Sequence, residues 1–200
     1  MITIGFIGAG KMASAIIKGL NKEKFSIHIS GRNFEETQLT AKVLGVNGSA
    51  SHTDLIQNSD IIVLAVKPYV VADILSEHQI EKPIVSIAAG ITLADLTAMT
   101  TETQPIVRIM PNINATIQKS TTGIVRNAYV SDDIFDTVKA IFESVGSVHE
   151  LPEKDFGTFT ALAGSSPAYI YMFIDAMSRA GVLHGMPKDV STKIVAETVL

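Results

Sequence analysis

A glycine-rich turn close to the start of the chain constrains its fold more than any other feature. The apolar run ITIGFI, residues 2–7, leads into Gly8-Ala9-Gly10, and an apolar stripe at helical spacing follows. Strand, glycine turn and amphipathic helix in this order are typical of the first βα unit of a dinucleotide-binding fold. Gly8 and Gly10 permit a tight turn and a close approach to the main chain, and Ala13 lets the helix pack on the strand. A tight βα turn without a ligand is the alternative.

The expected ligand of this turn is the pyrophosphate of a dinucleotide. The N–H groups at the start of the following helix have no partner inside the helix and attract an anion. The expected cofactor-binding residues are those of the turn and the first helical residues, which are Ile7, Gly8, Ala9, Gly10, Lys11 and Met12.

The end of the second predicted strand bears on which dinucleotide binds. The run FSIHIS ends at Ser30, and Gly31-Arg32-Asn33 follow it without an Asp or Glu. An NAD site usually has a carboxylate here, which binds the ribose 2′-hydroxyl and repels a 2′-phosphate. Arg32 can form charge-assisted hydrogen bonds with that phosphate, and Ser30 and Asn33 can donate to it. The sequence therefore favours NADP(H), with NAD(H) as the alternative if Arg32 is only a solvated loop residue.

The remainder of the chain alternates short apolar runs with stretches of helical spacing, up to TTGIVRN at residues 121–127. This alternation indicates an α/β fold, a Rossmann-type doubly wound sheet of parallel strands with helices on both faces. Around Leu151-Pro152 the pattern changes to helices. We predict an NAD(P)-binding domain over residues 1–152 and the start of an all-α domain over residues 153–200.

Three more strand ends are expected at the carboxyl edge of the sheet, where open α/β sheets bind their ligands. Two of these strand ends are expected to lie beside the cofactor. Their residues are Ala65, Val66, Lys67, Pro68, Ala88, Ala89 and Gly90. The third consists of Met110, Pro111 and Asn112. A surface lysine at residue 67 and simple close packing of the small residues are the alternatives. Asn112 either holds substrate or braces a loop.

Composition argues against several classes of function. The net charge is −4 and no run of Lys or Arg occurs, which argues against a nucleic-acid partner. The chain has no cysteine and no apolar run of the length that a membrane span needs. Its histidines are scattered without the spacing of metal ligands, so no metal site is expected. We expect a cytoplasmic protein that binds a small anion.

Five segments of the chain follow one another as they do in a known enzyme family: GFIGAGKMASAI, AVKP, SIAAGI, RIMPN and FTALAGSSPAYIYMFIDAM. In these segments the sequence closely resembles pyrroline-5-carboxylate reductase, the family of enzymes that forms proline. The resemblance implies a Rossmann domain that binds NAD(P)H and a helical domain through which subunits form homodimers or larger homo-oligomers. It also implies hydride transfer from the nicotinamide to the C=N carbon of 1-pyrroline-5-carboxylate, which gives L-proline.

Two of these segments depart from the family pattern. The family commonly has GSGPAY where this chain has GSSPAY at residues 164–169, and MPNTP where it has MPNIN at residues 110–114. The expected substrate contacts in them are Met110, Pro111, Asn112 and Ser165. Family members also continue into helices with a Ser-Pro-Gly-Gly-Thr-Thr motif that binds the substrate carboxylate. From the resemblance we expect a C-terminally truncated form with little or no activity of its own.

No catalytic acid is predicted for the expected reaction. A protonated imine is already an electrophile, so alignment of the reactants is the main requirement, and alignment lowers a barrier by ~7–11 kcal/mol. Each histidine is expected to be structural or solvated, and His52 alone is expected to approach the adenosine side. The acid pairs Glu35-Glu36 and Asp132-Asp133 are expected at helix N-termini.

Other functions are consistent with the same turn. A β-hydroxyacid dehydrogenase or a deazaflavin-linked NADP reductase shares the glycine pattern, but Lys188 and Lys193 lie in no motif of a hydroxyacid dehydrogenase. A non-catalytic NADP-binding sensor would need the cofactor site alone. The apolar stripe from Tyr169 to Ala180 is either core alone or core that extends into a dimer face.

Overall fold

The computed structural model describes residues 1–199, and the pattern of contacts along the chain divides it into two compact units. The first unit is Met1–Gly157, and the second begins at Thr158. The domain boundary predicted after residue 152 lies a few residues before this division and stays a prediction.

The first unit is built on one eight-stranded sheet. In chain order the strands are β1 (Ile2–Ile7), β2 (Phe25–Ser30), β3 (Asn47–Gly48), β4 (Ile61–Leu64), β5 (Ile84–Ser86), β6 (Ile106–Met110), β7 (Ser120–Arg126) and β8 (Gly146–Glu150). Their order across the sheet is β3-β2-β1-β4-β5-β6-β7-β8. The strand order reverses at β1, which pairs in parallel with both β2 and β4. Ligands of open α/β sheets bind at such a switch point.

Helices connect most of these strands and also form the second unit. The α-helices are α1 (Lys11–Gly19), α2 (Phe34–Leu44), α3 (His52–Gln57), α4 (Pro68–Glu77), α5 (Leu93–Ala98), α6 (Asp132–Glu143), α7 (Phe156–Phe159), α8 (Ser166–Leu183) and α9 (Lys188–Thr198). Two 3₁₀ segments, Ile113–Ile117 and Glu153–Asp155, and a π-helical segment, Thr160–Ser165, complete the helical structure of residues 1–199. The paired acids at residues 35–36 and 132–133 lie in first helical turns, as predicted.

Two apolar clusters lie on opposite faces of the sheet. Successive side chains of a strand point to opposite faces, and in β4 Val63 belongs to one cluster while Ile62 and Leu64 belong to the other. Side chains of α1, α2 and α6 complete the first cluster, and those of α3, α4 and α5 complete the second. The predicted Rossmann-type α/β fold, with helices on both faces of the sheet, is confirmed.

The sheet departs from an all-parallel arrangement at β7. This strand runs antiparallel to β6, with Met110 opposite Gly123, and β8 is parallel to β7. A parallel crossover needs about a dozen residues or more and usually a helix. Residues 111–119, between β6 and β7, hold only the short 3₁₀ segment Ile113–Ile117. The strand predicted at TTGIVRN is therefore present, but the prediction of its parallel direction is wrong.

The second unit is helical. Pro167 lies in the first turn of α8, the part of a helix where proline is best tolerated. Asp175 of α8 accepts hydrogen bonds from Arg179 Nε at 2.7 Å and from Lys188 Nζ at 2.8 Å, which ties the start of α9 to α8. Ser191 Oγ donates to the carbonyl oxygen of Ser178 at 2.9 Å, where the two helices pack closely.

The apolar stripe of α8 is exposed within this unit. Tyr169 is 65% exposed, Met172 70% and Phe173 52%. An exposed apolar face of this size is typical of a surface that another molecule covers. The stripe is therefore not simply core of the second unit. Within residues 1–199, no helix is both long enough and apolar enough to span a membrane.

Candidate functional site

The glycine turn between β1 and α1 fixes three strand ends at the switch point of the sheet. Gly8 has a φ of +95°, and a Cβ there would lie 2.9 Å from the carbonyl oxygen of Ala65. The Gly8 N–H donates to the carbonyl oxygen of Ser30 at 2.8 Å, and the Ala65 N–H donates to that of Ile7 at 2.9 Å. Glycine meets both the conformational and the steric requirement at residue 8. The turn thus joins the ends of β1, β2 and β4.

Gly10 leaves the N-terminus of α1 open. It is the N-cap residue, with a φ of −70°, and no atom lies within 4 Å of a Cβ built on it. The first turn of α1 has neither a side-chain cap nor an acidic residue. Its N–H groups therefore carry their partial positive charge next to an open space that a side chain at residue 10 would fill. Such a cradle fits the pyrophosphate of a dinucleotide.

The other turn residues are buried to different degrees. Ile7 is fully buried and its carbonyl oxygen accepts the hydrogen bond from the Ala65 N–H, so its expected cofactor contact stays a prediction. Ala9 and Met12 are half-buried against the first apolar cluster, and Lys11 is exposed. Lys11 therefore places a positive charge beside the cradle.

The end of β2 corrects the expected role of Ser30. This residue is fully buried, and its Oγ lies 2.8 Å from Nδ1 of His52. Its hydroxyl is therefore not exposed to a phosphate. Asn33 caps α2 by accepting a hydrogen bond from the Glu36 N–H at 3.0 Å. Arg32 is exposed at the same strand end, where its guanidinium is free to contact a phosphate.

His52, the histidine expected on the adenosine side, is the first residue of α3 and contacts the end of β2 through Ser30. Burial lowers the pKa of His52 below its usual value, and the neighbouring His78 lowers it further, while Glu77 acts in the opposite direction. The rings of His52 and His78 meet edge to face, with centroids 5.8 Å apart. The lowered pKa favours the neutral form of the His52 ring.

Exposed residues follow β4 and β5 at the same edge of the sheet. They are Lys67, Pro68, Ala89 and Gly90, whereas Ala65 and Val66 are half-buried and Ala88 is buried. Gly90 has a φ of +82°, and no atom lies within 4 Å of a Cβ built on it. The loop after β5 is therefore open at Gly90.

The end of β6 shows Asn112 as a loop brace. Asn112 is buried, and its Oδ1 accepts hydrogen bonds from the N–H groups of Asn114 and Thr121, both at 3.2 Å. Met110 is half-buried and Pro111 is buried beside it. Of the two roles left open for Asn112, bracing is thus observed, and substrate contact by residues 110–112 stays a prediction.

The described residues also bear on the expected role of Ser165 and on metal binding. Ser165 is exposed and ends the π-helical segment of the second unit, so its expected substrate contact stays a prediction. Among residues 1–199, no group of three or more His, Asp or Glu side chains is arranged to hold a metal ion.

One contact beside this site was not predictable from the sequence. Arg108 of β6 forms an ion pair with Glu153 at 2.8 Å, across a separation of 45 residues. Arg108 belongs to the RIMPN segment, but Glu153 lies outside the five segments, and nothing in the sequence pairs the two. A contact of this kind between distant parts of the chain leaves no local signal in the sequence.

Comparisons with known proteins identify the family. Residues 3–90 match a family model described as NADP oxidoreductase coenzyme F420-dependent, and residues 153–200 match one described as pyrroline-5-carboxylate reductase dimerisation. A pyrroline-5-carboxylate reductase of Methanosarcina acetivorans is 36% identical over 206 residues, which cover 98% of this chain and 76% of that protein. The chain belongs to the pyrroline-5-carboxylate reductase family. The family predicted from the five sequence segments is thereby confirmed.

Solved structures of the pyrroline-5-carboxylate reductase family have the same fold. The enzyme of Streptococcus pyogenes is 45% identical, with a TM-score of 0.95 over 99% of this chain and 76% of that one. The Plasmodium falciparum pyrroline carboxylate reductase, solved with NADP bound, is 31% identical, with a TM-score of 0.87 over 99% of this chain and 76% of that one. The chain thus spans about three quarters of the length of the family members that it matches.

Proposed function

We propose that this chain carries out the last step of proline biosynthesis, the reduction of 1-pyrroline-5-carboxylate to L-proline, with NADPH as its preferred cofactor. Membership of the pyrroline-5-carboxylate reductase family supports the reaction. The observation that carries the cofactor assignment is the open N-terminus of α1 beside Gly10, next to a β2 end without a carboxylate. NADH is the alternative cofactor.

In this proposal the cofactor binds along the carboxyl edge of the sheet. The main chain of residues 7–12 binds the pyrophosphate, and Arg32 pairs with the 2′-phosphate. Residues 65–68 and 88–90 line the ribose and nicotinamide side, where Ala89 and Gly90 leave room for the ring. When bound, the reduced nicotinamide supplies the hydride that the imine carbon accepts.

The proposed contribution of the protein to the reaction is alignment. Residues 110–112 hold the substrate, and the hydrogen bonds of Asn112 keep the end of β6 in place. Ser165, which belongs to the second unit, is a separate expected substrate contact. Alignment of two bound reactants lowers a barrier by ~7–11 kcal/mol. No side chain of this chain is assigned as a general acid.

We also propose that two copies of the chain associate through the exposed stripe of α8. The match of residues 153–200 to a dimerisation model supports a homo-oligomer, and the exposure of Tyr169, Met172 and Phe173 supplies the apolar surface for it. The cytoplasmic location remains part of this proposal.

The test is NADPH oxidation with 1-pyrroline-5-carboxylate, measured with this chain and with a version extended by the remaining C-terminal part of the Methanosarcina acetivorans relative. Turnover by either version, together with NADPH binding, supports the proposal. Binding of NADPH without turnover by both versions would favour the non-catalytic sensor. Turnover of a hydroxyacid instead would favour a sister dehydrogenase, and absence of NADPH binding would overturn the cofactor assignment.

A further inference from the structure

One carboxylate oxygen in the first unit accepts hydrogen bonds from two different elements, a helix and a strand. Oε1 of Glu153 accepts a hydrogen bond from the Leu93 N–H at 2.6 Å and another from Arg108 Nη1 at 2.8 Å. Leu93 is the first residue of α5, and Arg108 lies in β6. Glu153 therefore fixes the start of a helix and a neighbouring strand to one point.

The surroundings of this contact make it rigid. The Arg108 side chain is 12% exposed and that of Glu153 is 30% exposed. The guanidinium of Arg108 also lies over the ring of Phe156, 4.6 Å from its centroid, and Phe156 is buried. Charge-assisted hydrogen bonds are short and strong, and partial exclusion of water strengthens them further. We refer to Arg108, Glu153 and Phe156 as the Glu153 clasp.

The Leu93 hydrogen bond does more than cap α5. This helix already has its own capping box, in which Asp95 N–H donates to Thr92 Oγ1 at 3.0 Å and Thr92 N–H donates to Asp95 Oδ2 at 2.9 Å. Glu153, which accepts the hydrogen bond from Leu93, lies outside this capping box, in the segment that follows β8. Its effect is to set where α5 begins relative to β6.

The clasp lies on the nicotinamide side of the switch point. In a sheet of this strand order the adenosine half of a dinucleotide binds over β2, so the other half binds over the strands that follow β4. Leu93 directly follows the loop that contains Ala88, Ala89 and Gly90. Arg108 is close in sequence to Met110, the last residue of β6. Both groups held by Glu153 thus adjoin the expected nicotinamide site.

We propose that Glu153 is a positioning residue for the nicotinamide half of the cofactor, an inference that rests on the proposed function. Glu153 does not contact the cofactor in this proposal. It holds the end of the loop after β5 and the last part of β6 at a fixed separation. The nicotinamide site is therefore formed before the cofactor binds. The adenosine half, held at β1 and β2, does not depend on it.

The experiment separates the two halves of the cofactor. Dissociation constants are measured for NADPH and for adenosine 2′,5′-bisphosphate, which lacks the nicotinamide half, with the wild-type chain, Glu153→Ala and Glu153→Gln. Glu150→Ala is the matched control, because it removes the same charge from an exposed residue of β8. We expect Glu153→Ala to weaken NADPH about tenfold, the scale of a lost hydrogen bond to a charged group, and to change bisphosphate binding less than about twofold.

Glu153→Gln provides a second and milder test. Its amide oxygen can still accept from the Leu93 N–H but no longer neutralises Arg108, so an intermediate loss of NADPH affinity is expected. It also carries the test if circular dichroism shows that Glu153→Ala does not fold. Glu150→Ala is expected to leave both ligands unaffected.

The remaining outcomes would overturn the inference. An equal loss of NADPH and bisphosphate affinity would show that Glu153 acts through general stability alone. Unchanged NADPH affinity in both Glu153 variants would show that the clasp does not shape the nicotinamide side. A wild-type chain that binds neither ligand would overturn the proposed function as well, which distinguishes the two failures.

Discussion

Gly8 and Gly10 lie in the same turn, yet a methyl group is expected to have different consequences at the two positions. At Gly8, with a φ of +95° and the Ala65 carbonyl 2.9 Å from the position of a Cβ, alanine is strained in the free protein. We expect Gly8→Ala to lower the free energy of unfolding by about 1–3 kcal/mol. Thermal or urea unfolding without ligand measures this loss.

Gly10→Ala is the contrasting variant. Its φ of −70° suits alanine and no atom lies within 4 Å of the new Cβ, so its stability should equal or slightly exceed that of the wild type. The new methyl group occupies the proposed pyrophosphate cradle, and NADPH affinity should fall about tenfold or more. Unchanged affinity, measured by NADPH fluorescence titration, would contradict the placement of the pyrophosphate.

Arg32 is expected to determine the preference for NADPH over NADH. Arg32→Glu removes the charge-assisted contact with the 2′-phosphate and adds a repulsive charge, so NADPH should bind about tenfold to a hundredfold more weakly. NADH, which lacks this phosphate, should bind as well as before. Lys24→Glu is the control, because it makes the same charge change at an exposed residue that precedes the amino end of β2. Equal weakening of both cofactors would reject this role for Arg32.

His52 is expected to make stability fall in mild acid. Burial and the neighbouring His78 lower its pKa in the folded chain, so the unfolded chain binds more protons as pH falls below the usual histidine value. Its stabilising contribution is present above about pH 6.5 and is lost as pH falls towards the lowered pKa. The wild type should therefore lose more unfolding free energy between about pH 7.5 and 5.5 than His52→Gln does.

The His52 variant also has an expected effect at neutral pH. Loss of the Ser30 contact, 2.8 Å long and buried on the serine side, should cost about 1 kcal/mol. His149→Gln, at an exposed residue of β8, serves as the control and should leave the unfolding free energy at neutral pH unchanged. Urea unfolding at both pH values measures the two effects, and parallel pH profiles for all three proteins would exclude His52 as their source.

At the scale of single elements, α8 carries the surface on which association is expected to depend. Met172 is 70% exposed in the apolar stripe, and a charge there would be desolvated in any dimer that buries it. We expect Met172→Glu to shift the chain towards the monomer, as measured by light scattering over a concentration series. Leu39→Glu on α2, at a residue 66% exposed in the first unit, should leave the oligomeric state unchanged. A wild-type chain that is monomeric throughout would contradict the proposal.

Elements with a strong local pattern were predictable, and others were not. The strand at residues 2–7, the turn after it and the amphipathic α1 follow from adjacent residues, because apolar period and glycine position are local signals. The edge strand β8 has the sequence GSVHE with mostly exposed residues, and β3 has two residues, so neither has an apolar run to mark it. The direction of β7 depends on the length of a loop rather than on the strand itself.

At the scale of the whole molecule, the candidate site was predictable where it depends on order along the chain. Parallel strands bring their carboxyl ends to one edge of the sheet. Gly8, Arg32 and Gly90 therefore lie at that same edge. Pairings between distant residues were not predictable. Ser30 with His52, and Arg108 with Glu153, depend on how the finished sheet is packed and leave no spacing rule in the sequence.

The central place of β1 in the sheet has a consequence for the order in which the chain can fold. β1 precedes its second neighbour in the chain, because β4 begins only at Ile61, and the Thr3 N–H donates to a carboxylate oxygen of Asp60, 57 residues later. Until β4 has been synthesised and has paired with β1, one edge of the strongly apolar β1 stays unpaired. That edge can then pair with another chain. We therefore expect slow, chaperone-sensitive maturation of the nascent chain, governed by the closure of this long loop.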